Sequence, residues 1–229
     1  MGNKSSLMKK EATTVSRKIV EESPKDESEG IKEVKILLLG QEGSGKSTVV
    51  EQMRIMCGLA YTEQDCTHYR RLVHSNSIQY LVTIILAMKK LAIDFADSSR
   101  RDDAEKFLKG TETSTEVELT PGLCEVMQRL WNDAGTQRFF ARSKEFHLSD
   151  SAGYYLNSLA RLSSTYYKPT AQDILRTRER TNGILPTQFT SNNLRFIFYD
   201  VGGQISERKR WFNCFKGIFL TITIQKVHL

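Results

Sequence analysis

A short apolar run, Val34-Lys35-Ile36-Leu37-Leu38-Leu39, leads directly into Gly40-Gln41-Glu42-Gly43-Ser44-Gly45-Lys46-Ser47-Thr48. No other feature of the chain restricts its fold as much. A run this short and this apolar reads as a strand buried in a sheet. The G-x-x-x-x-G-K-[ST] spacing behind it is that of a phosphate-binding loop. The glycines let the backbone turn so that successive N–H groups converge on phosphate oxygens. Lys46 is placed to bridge the outer phosphates, and the Ser47 hydroxyl to hold Mg²⁺. Residues from Thr48 onward read as a helix whose positive N-terminal end faces the anion.

The bulk properties narrow the class. With 229 residues, 39% apolar and 26% charged, the chain has the composition of a soluble globular protein of one or two domains. The net charge of +6 is modest, and no basic patch interleaved with aromatics argues for nucleic acid. Cys57, Cys66, Cys124 and Cys214 form no C-x-x-C pair and read as reduced thiols of a cytosolic protein. Cys66 and His68 lie two apart without companion ligands, a packed or solvated pair rather than a metal site. The longest apolar stretch, Tyr80 to Met88, is too short to cross a bilayer. No secretory signal is expected, which leaves the Asn3-Lys4-Ser5 sequon idle. The start M-G-N-K-S-S fits the N-myristoylation pattern, with Gly2 as the acylated residue.

The organisation changes along the chain. Residues 1–30 form an arm whose Met8, Ala12, Val15 and Ile19 line one helical stripe, ended by Pro24 and Gly30. That stripe suits either a partner surface or a helix lying back on its own domain. A strand over 34–39 and a helix over 46–57 follow. From about residue 62 to 175 the periodicity is helical only, led by Ile78, Leu81, Val82, Ile85 and Met88. Further helices are expected at 107–110, 123–131, 137–145 and 154–162. Strand character returns at Leu194–Tyr199 and again at Gly217–Ile224.

Asp200-Val201-Gly202-Gly203-Gln204 closes the second apolar strand. An aspartate at a strand tip opposite a phosphate loop can hold Mg²⁺ through water. Gly203 can offer an N–H to a terminal phosphate, and Gln204 can orient a water for attack. Upstream lies the basic stretch Leu175-Arg176-Thr177-Arg178-Glu179-Arg180-Thr181-Asn182-Gly183-Ile184. The order of phosphate loop, helical stretch, L-R-x-R-x-x-T-x-G-I and D-V-G-G-Q resembles the α subunit of heterotrimeric G proteins. D-S-A-G-Y-Y-L-N at 150–157 and S-E-R-K-R-W at 206–211 look like the same family, and the resemblance covers roughly residues 1–216.

The resemblance implies an α/β fold: a Ras-like P-loop nucleotide-binding domain, incomplete, with an inserted all-helical domain. Its parts would be the arm at 1–30, the P-loop GTPase domain at 31–60 and 177–229, and the helical domain at 61–176. It implies GTP and GDP as ligands with Mg²⁺ as cofactor, the metal held by Ser47 and Thr181. Arg178 would be the arginine supplied in cis and Gln204 the residue that positions water. Nucleotide contacts would come from Glu42, Gly43, Ser44, Gly45, Lys46, Ser47, Thr48, Asp150, Ser151, Leu175, Arg176, Arg178, Thr181, Asp200 and Gly203. Implied partners are the βγ dimer, a G-protein-coupled receptor, an unidentified effector and the inner membrane surface. The implied place is the cytoplasmic face of the plasma membrane, weakly held, or the cytosol.

Several positions depart from the family pattern. The family loop reads G-A-G-E-S-G-K-S, so Glu42 stands at a glycine position beside the γ-phosphate. Gly43 stands where a glutamate pairs with the switch arginine. Asn182 replaces a threonine, Ile205 a basic residue, and Asn3 a cysteine that many members palmitoylate. After Gly217 the sequence diverges, and N-K-x-D, T-C-A-T and the receptor-binding helix are not found, which suggests a truncated product, a splice form or an incomplete gene model. The leading expectation is a GTP-binding and GTP-hydrolysing switch with impaired hydrolysis. A truncated, non-catalytic protein that binds βγ or competes with a full-length α subunit is the alternative. A generic P-loop ATPase is the third reading, disfavoured by the cis arginine and the insertion.

Overall fold

The computed structural model describes residues 32–112, 118–146, 148–191, 193–209, 211, 215 and 217–225. The arm with Gly2 and the Met8–Ile19 stripe, part of the Thr/Glu-rich loop, and Cys214 lie outside the described residues. From Glu33 onward the described chain forms one compact unit.

Four strands, β1 (Lys32–Gly40), β2 (Ile184–Ser191), β3 (Leu194–Val201) and β4 (Leu220–Ile224), form a sheet of order β2-β3-β1-β4. β1 and β4 run parallel, with Ile36 opposite Leu220 and Gly40 opposite Ile224. β2 and β3 are antiparallel, with Ile184 opposite Val201 and Ser191 opposite Leu194. The sheet is therefore mixed. β1 buries Val34, Ile36, Leu37 and Leu38, so side chains from both of its faces are covered, as its continuous apolar run requires.

β2 has no counterpart among the strands expected from sequence. It buries only Phe189 and carries Pro186, a residue with no N–H to give to a ladder. At the end of the sheet order only one side of the strand must pair, and proline is tolerated there. The local signal was the two-residue hairpin after Ser191, in which Asn193 adopts φ 61°, a conformation asparagine tolerates. β4 starts later than expected, because Gly217 sits in a turn at φ 73°.

The helices are α1 (Lys46–Met56), α2 (Glu63–Lys90), α3 (Arg100–Glu112), α4 (Pro121–Asn132), α5 (Ala134–Ala141), α6 (Asp150–Leu156), α7 (Leu159–Leu162) and α8 (Ala171–Leu175). Between Glu63 and Leu175 every regular element among the described residues is helical. Thr62 and Asp65 form a capping box that starts α2, and Thr120 caps α4 with proline in its first turn. The single helix expected over 137–145 ends instead at Ala141 and gives way to a 3₁₀ turn, Ser143–Phe146. The one expected over 154–162 is two short helices, α6 capped by Ser149 and α7, with Asn157 and Ser158 between them.

The helical core gathers on the stripe of α2. Leu81, Ile85 and Met88 meet Met127, Leu130 and Trp131 of α4, Phe139 of α5, Tyr155 of α6 and Leu159 of α7. Each such side chain contributes about 1.5–3 kcal/mol by leaving water. A polar hub sits beside this core. Asp173 of α8 is fully buried and accepts from both Arg161 guanidinium nitrogens, the Tyr154 and Tyr167 hydroxyls and the Thr170 N–H. Burial alone would raise its carboxyl, but these donors hold it well below the ordinary carboxylate range.

His74 of α2 is buried against Tyr167. Its Nδ1 accepts from the Leu119 N–H at 3.3 Å, and its Nε2 lies 2.9 Å from the Leu162 carbonyl. One nitrogen must accept and the other donate, which is the neutral imidazole. Burial pushes its pKa down, only partly offset by the Leu162 bond. The unfolded chain therefore takes up a proton at about pH 6.5 that folded His74 resists. Stability from this site is present above that pH and falls as the pH drops through it toward the lower folded pKa. The unfolding free energy should fall between pH 7.5 and 5.5, by up to about 1.4 kcal/mol per pH unit for this one group, read as a falling thermal midpoint. His74→Phe should be less stable at pH 7.5 but show a flatter pH dependence in the same scan.

Candidate functional site

β1 ends at Gly40 and α1 begins at Lys46, so the intervening loop must reverse within five residues. It does so with a Ser44 N–H to Gln41 carbonyl bond of 3.2 Å and with Gly43 at φ +69°, a left-handed conformation that a side chain would strain. Lys46 is buried, and its ammonium donates to the carbonyls of Gly40 at 3.2 Å and Gln41 at 3.0 Å. Ser44 Oγ is buried without a hydrogen-bond partner among the described residues. Thr48 is exposed on the first turn of α1.

The tip of β3 presses onto this loop. A Cβ at Gly203 would lie 2.5 Å from the Glu42 nitrogen and 2.7 Å from the Gly40 carbonyl oxygen, so no larger residue fits that approach. Asp200, also buried, accepts a short hydrogen bond from Ser47 and a 3.2 Å bond from the Thr181 hydroxyl. The two hydroxyl oxygens are 3.0 Å apart. Three segments far apart in sequence thus bring two hydroxyls and a carboxylate to one point.

The donor chemistry of that point fits Mg²⁺, which prefers hard oxygen ligands and few protein contacts. Asp200 Oδ1 is buried with no partner among the described residues. Among the described residues no group of three or more His, Cys, Asp or Glu could hold a metal, so the hydroxyls are essential to this reading. The electrostatics agree. Burial raises the Asp200 pKa against the opposing pull of Ser47, Lys46 and Thr181. Burial also lowers that of Lys46, against Asp200 and Glu42. Each charge is disfavoured by desolvation in a way that a cation beside Asp200 and an anion beside Lys46 would reverse.

Arg178 reaches the same loop from the other side. Its Nη2 lies 3.8 Å from where a Cβ on Gly43 would be. Its backbone is held by Asn76 of α2, whose Oδ1 accepts from the Arg178 N–H at 2.6 Å and whose Nδ2 donates to the Arg178 carbonyl at 3.0 Å. Leu175 ends α8, and the Arg176 guanidinium lies 4.7 Å from the Tyr154 ring centroid. Gln204 Nε2 is buried with no partner among the described residues, while the Gln204 main-chain carbonyl accepts the Glu207 and Arg208 N–H groups. Asp150 and Ser151 open α6. Among the described residues no hydrogen bond or ion pair joins them to the phosphate loop.

The family model for the G-protein alpha subunit matches residues 9–223. The chain belongs to that family. Its members are guanine nucleotide-binding signal transducers built on a P-loop GTPase fold, and the mixed sheet with flanking helices agrees with that fold. The family typically binds Mg²⁺ with the nucleotide and works with βγ dimers and G-protein-coupled receptors.

Several residues around the site carry no local sequence signal. Asn76 is one polar position in a long helix. Arg208 donates to the Gly203 carbonyl at 3.4 Å, and its charge lowers the Lys46 pKa. Glu207 accepts the Gly183 N–H, and Trp211 Nε1 donates to the Gly202 carbonyl at 3.0 Å. S-E-R-K-R-W carries these last three residues, and only the fold shows what they hold. The Glu42 carboxylate lies 3.8 Å from Arg180, with both side chains more than half exposed.

Removing the buried ammonium should weaken phosphate binding by the value of a charged hydrogen bond, about 1.5–3 kcal/mol. Lys46→Ala should therefore bind a fluorescent Mg²⁺-nucleotide roughly 10- to 100-fold more weakly, with its helical circular-dichroism signal retained. Unchanged affinity would remove the loop from the binding site.

Proposed function

We propose that this chain binds GTP and GDP with Mg²⁺ in the cradle of Gly40–Thr48, Thr181 and Asp200, and hydrolyses GTP slowly as a signal-transducing α subunit. The observation that carries this is the convergence of Lys46, Ser47, Thr181, Asp200 and the Arg178 guanidinium on one loop. Ser47 and Thr181, with Asp200 behind them, would hold Mg²⁺, which would supply charge neutralisation to the bound phosphates. The loop amides and Lys46 orient the phosphate chain. Arg178 stabilises charge on the transferring group, and the Gln204 amide orients the attacking water. Residues 61–176 act in this reading as an inserted helical domain, with Asp150, Ser151 and Arg176 on its nucleotide-facing edge.

Glu42 and Gly43 set the expected rate. The carboxylate of Glu42 adds negative charge at the wall of a site that must stabilise negative charge. Gly43 offers no carboxylate to Arg178, and the nearest loop acid faces Arg180 instead. Glu42→Gly should speed single-turnover GTP hydrolysis about tenfold, a barrier change of roughly 1.4 kcal/mol. Adding Gly43→Glu should restore a partner for Arg178 at a cost in stability, because φ is +69° there. A rate unmoved by Glu42→Gly would show that the altered loop is tolerated.

One observation favours a second, non-catalytic reading. Ile205, 80% exposed just after the Gln204 turn, offers an apolar contact beside the site. A protein that engages βγ through its arm and this turn, without turnover, would use it. Titration with GTP, GDP and ATP, followed by βγ pull-down of Lys46→Ala, separates the two. Binding to βγ that is independent of nucleotide, with no turnover, supports the second.

Membrane attachment at the cytoplasmic face belongs to the same proposal. A single myristoyl chain on Gly2 gives binding on the order of 10⁴ M⁻¹. Lys4, Lys9, Lys10, Arg17 and Lys18 add salt-sensitive attraction to anionic lipid. Sedimentation with anionic liposomes should require both acylation and low salt. Tight binding to neutral liposomes at high salt would contradict it.

A further inference from the structure

Arg178 sits in a stretch, Arg176–Gly183, without regular structure of its own, yet its guanidinium must be placed to within a fraction of an ångström to act. The stretch is fixed at its start by the end of α8 and by Arg176 on Tyr154. It is fixed at its far end by Thr181 on Asp200. Between these anchors, one side chain takes both main-chain groups of Arg178. Asn76, half-buried on α2 and 102 positions earlier, accepts the N–H at 2.6 Å and donates to the carbonyl at 3.0 Å. A carboxamide, as in asparagine and glutamine, presents a donor and an acceptor side by side, so it can pair with the N–H and the C=O of one residue at once. The adjoining Glu179 also lies 3.2 Å from His68 of the same helix, in a solvent-exposed contact.

We propose that Asn76 is a positioning residue for Arg178, a two-point clamp that sets where the arginine enters the phosphate site. The consequence for turnover rests on the hydrolytic reading above; the clamp itself does not. Asn76 touches neither phosphate nor water in this scheme and acts through the backbone of residue 178. The substitution that tests it is mild for the fold, because alanine is a better helix former than asparagine. Asn76→Asp keeps the acceptor for the N–H but sets an oxygen against the Arg178 carbonyl.

Two readouts decide it. In the nucleotide-free chain, hydrogen exchange at the Arg178 amide, followed by NMR, should rise about tenfold in Asn76→Ala, as for one lost hydrogen bond. In Asn76→Asp it should stay close to the parent. With GTP, Asn76→Ala should slow single-turnover hydrolysis about tenfold while nucleotide affinity holds within about twofold, with Asn76→Asp in between. Asn76→Ala in an Arg178→Ala background should add nothing, because the group it positions is gone. Unchanged exchange at Arg178 overturns the clamp. An equal slowing by Asn76→Ala with and without Arg178 overturns the positioning role and leaves a general structural effect. A parent chain that binds nucleotide without turnover removes the hydrolytic reading, and the Arg178 exchange then decides the clamp alone.

Discussion

Asp200 ties together stretches of chain that share nothing in sequence. Its carboxylate takes the hydroxyls of Ser47 and Thr181, and so joins the end of β3, the start of α1 and the segment before β2. A buried carboxylate is costly unless every lone pair is used. Here one oxygen is used by two hydroxyls and the other has no partner among the described residues. The geometry of the site depends on that imbalance. The hydroxyls are held in place by a group that would itself gain from a cation, so the same contacts that stabilise the fold also prepare a metal site. The close approach of Gly203 to the loop follows from the same anchoring, since Gly203 follows Asp200 by three residues in the chain that leaves β3.

The second constraint is where the apolar packing lies. Apolar packing is concentrated in the helices around α2, with a smaller cluster at Leu37 and Val201 on the sheet. Arg178 belongs to the chain between them. Its placement relative to the loop is therefore not fixed by hydrophobic packing, which is non-directional and acts elsewhere. Directional polar contacts take that role. Asp173 and its donors hold α8, Asn76 holds Arg178, and Asp200 holds Thr181. Hydrogen bonds of this kind are individually modest in net stability but strict in geometry, so they can fix where Arg178 enters the loop.

The phosphate loop was legible in sequence because its chemistry is local. Each of its residues acts through its own backbone or through a neighbour a few positions away, and the spacing records that. Asp200 and Thr181 were legible only through the motifs around them and the family resemblance. β2 was not, because an edge strand with one buried residue and a proline leaves almost no alternation to detect. The breaks at Arg142 and at Asn157–Ser158 were hidden for the opposite reason. Apolar periodicity continues across them, while the helices end at single polar residues, Arg142 and Asn157, whose own backbone N–H groups close the last turn. Asn76 could not be found by pattern, since its partner lies 102 positions away.

The exchange at positions 42 and 43 shows how much depends on one residue's register in a tight loop. A glutamate at 43 would start 3.8 Å from the Arg178 guanidinium. At 42 the carboxylate instead faces Arg180, in a solvent-exposed pair worth little in stability. Net charge in the loop is the same either way; what changes is which arginine feels it. Arg178 loses a partner that would compete with phosphate for its guanidinium, and also loses the restraint that such a partner supplies. Lys46 meanwhile gains a nearby negative charge that helps keep it protonated. In the hydrolytic reading proposed above, ground-state binding of phosphate and stabilisation of the transferring group would therefore be pushed in different directions by the same two residues. A loop altered in this way can keep its affinity for nucleotide while its rate of turnover changes, because only interactions that strengthen in the transition state alter the rate.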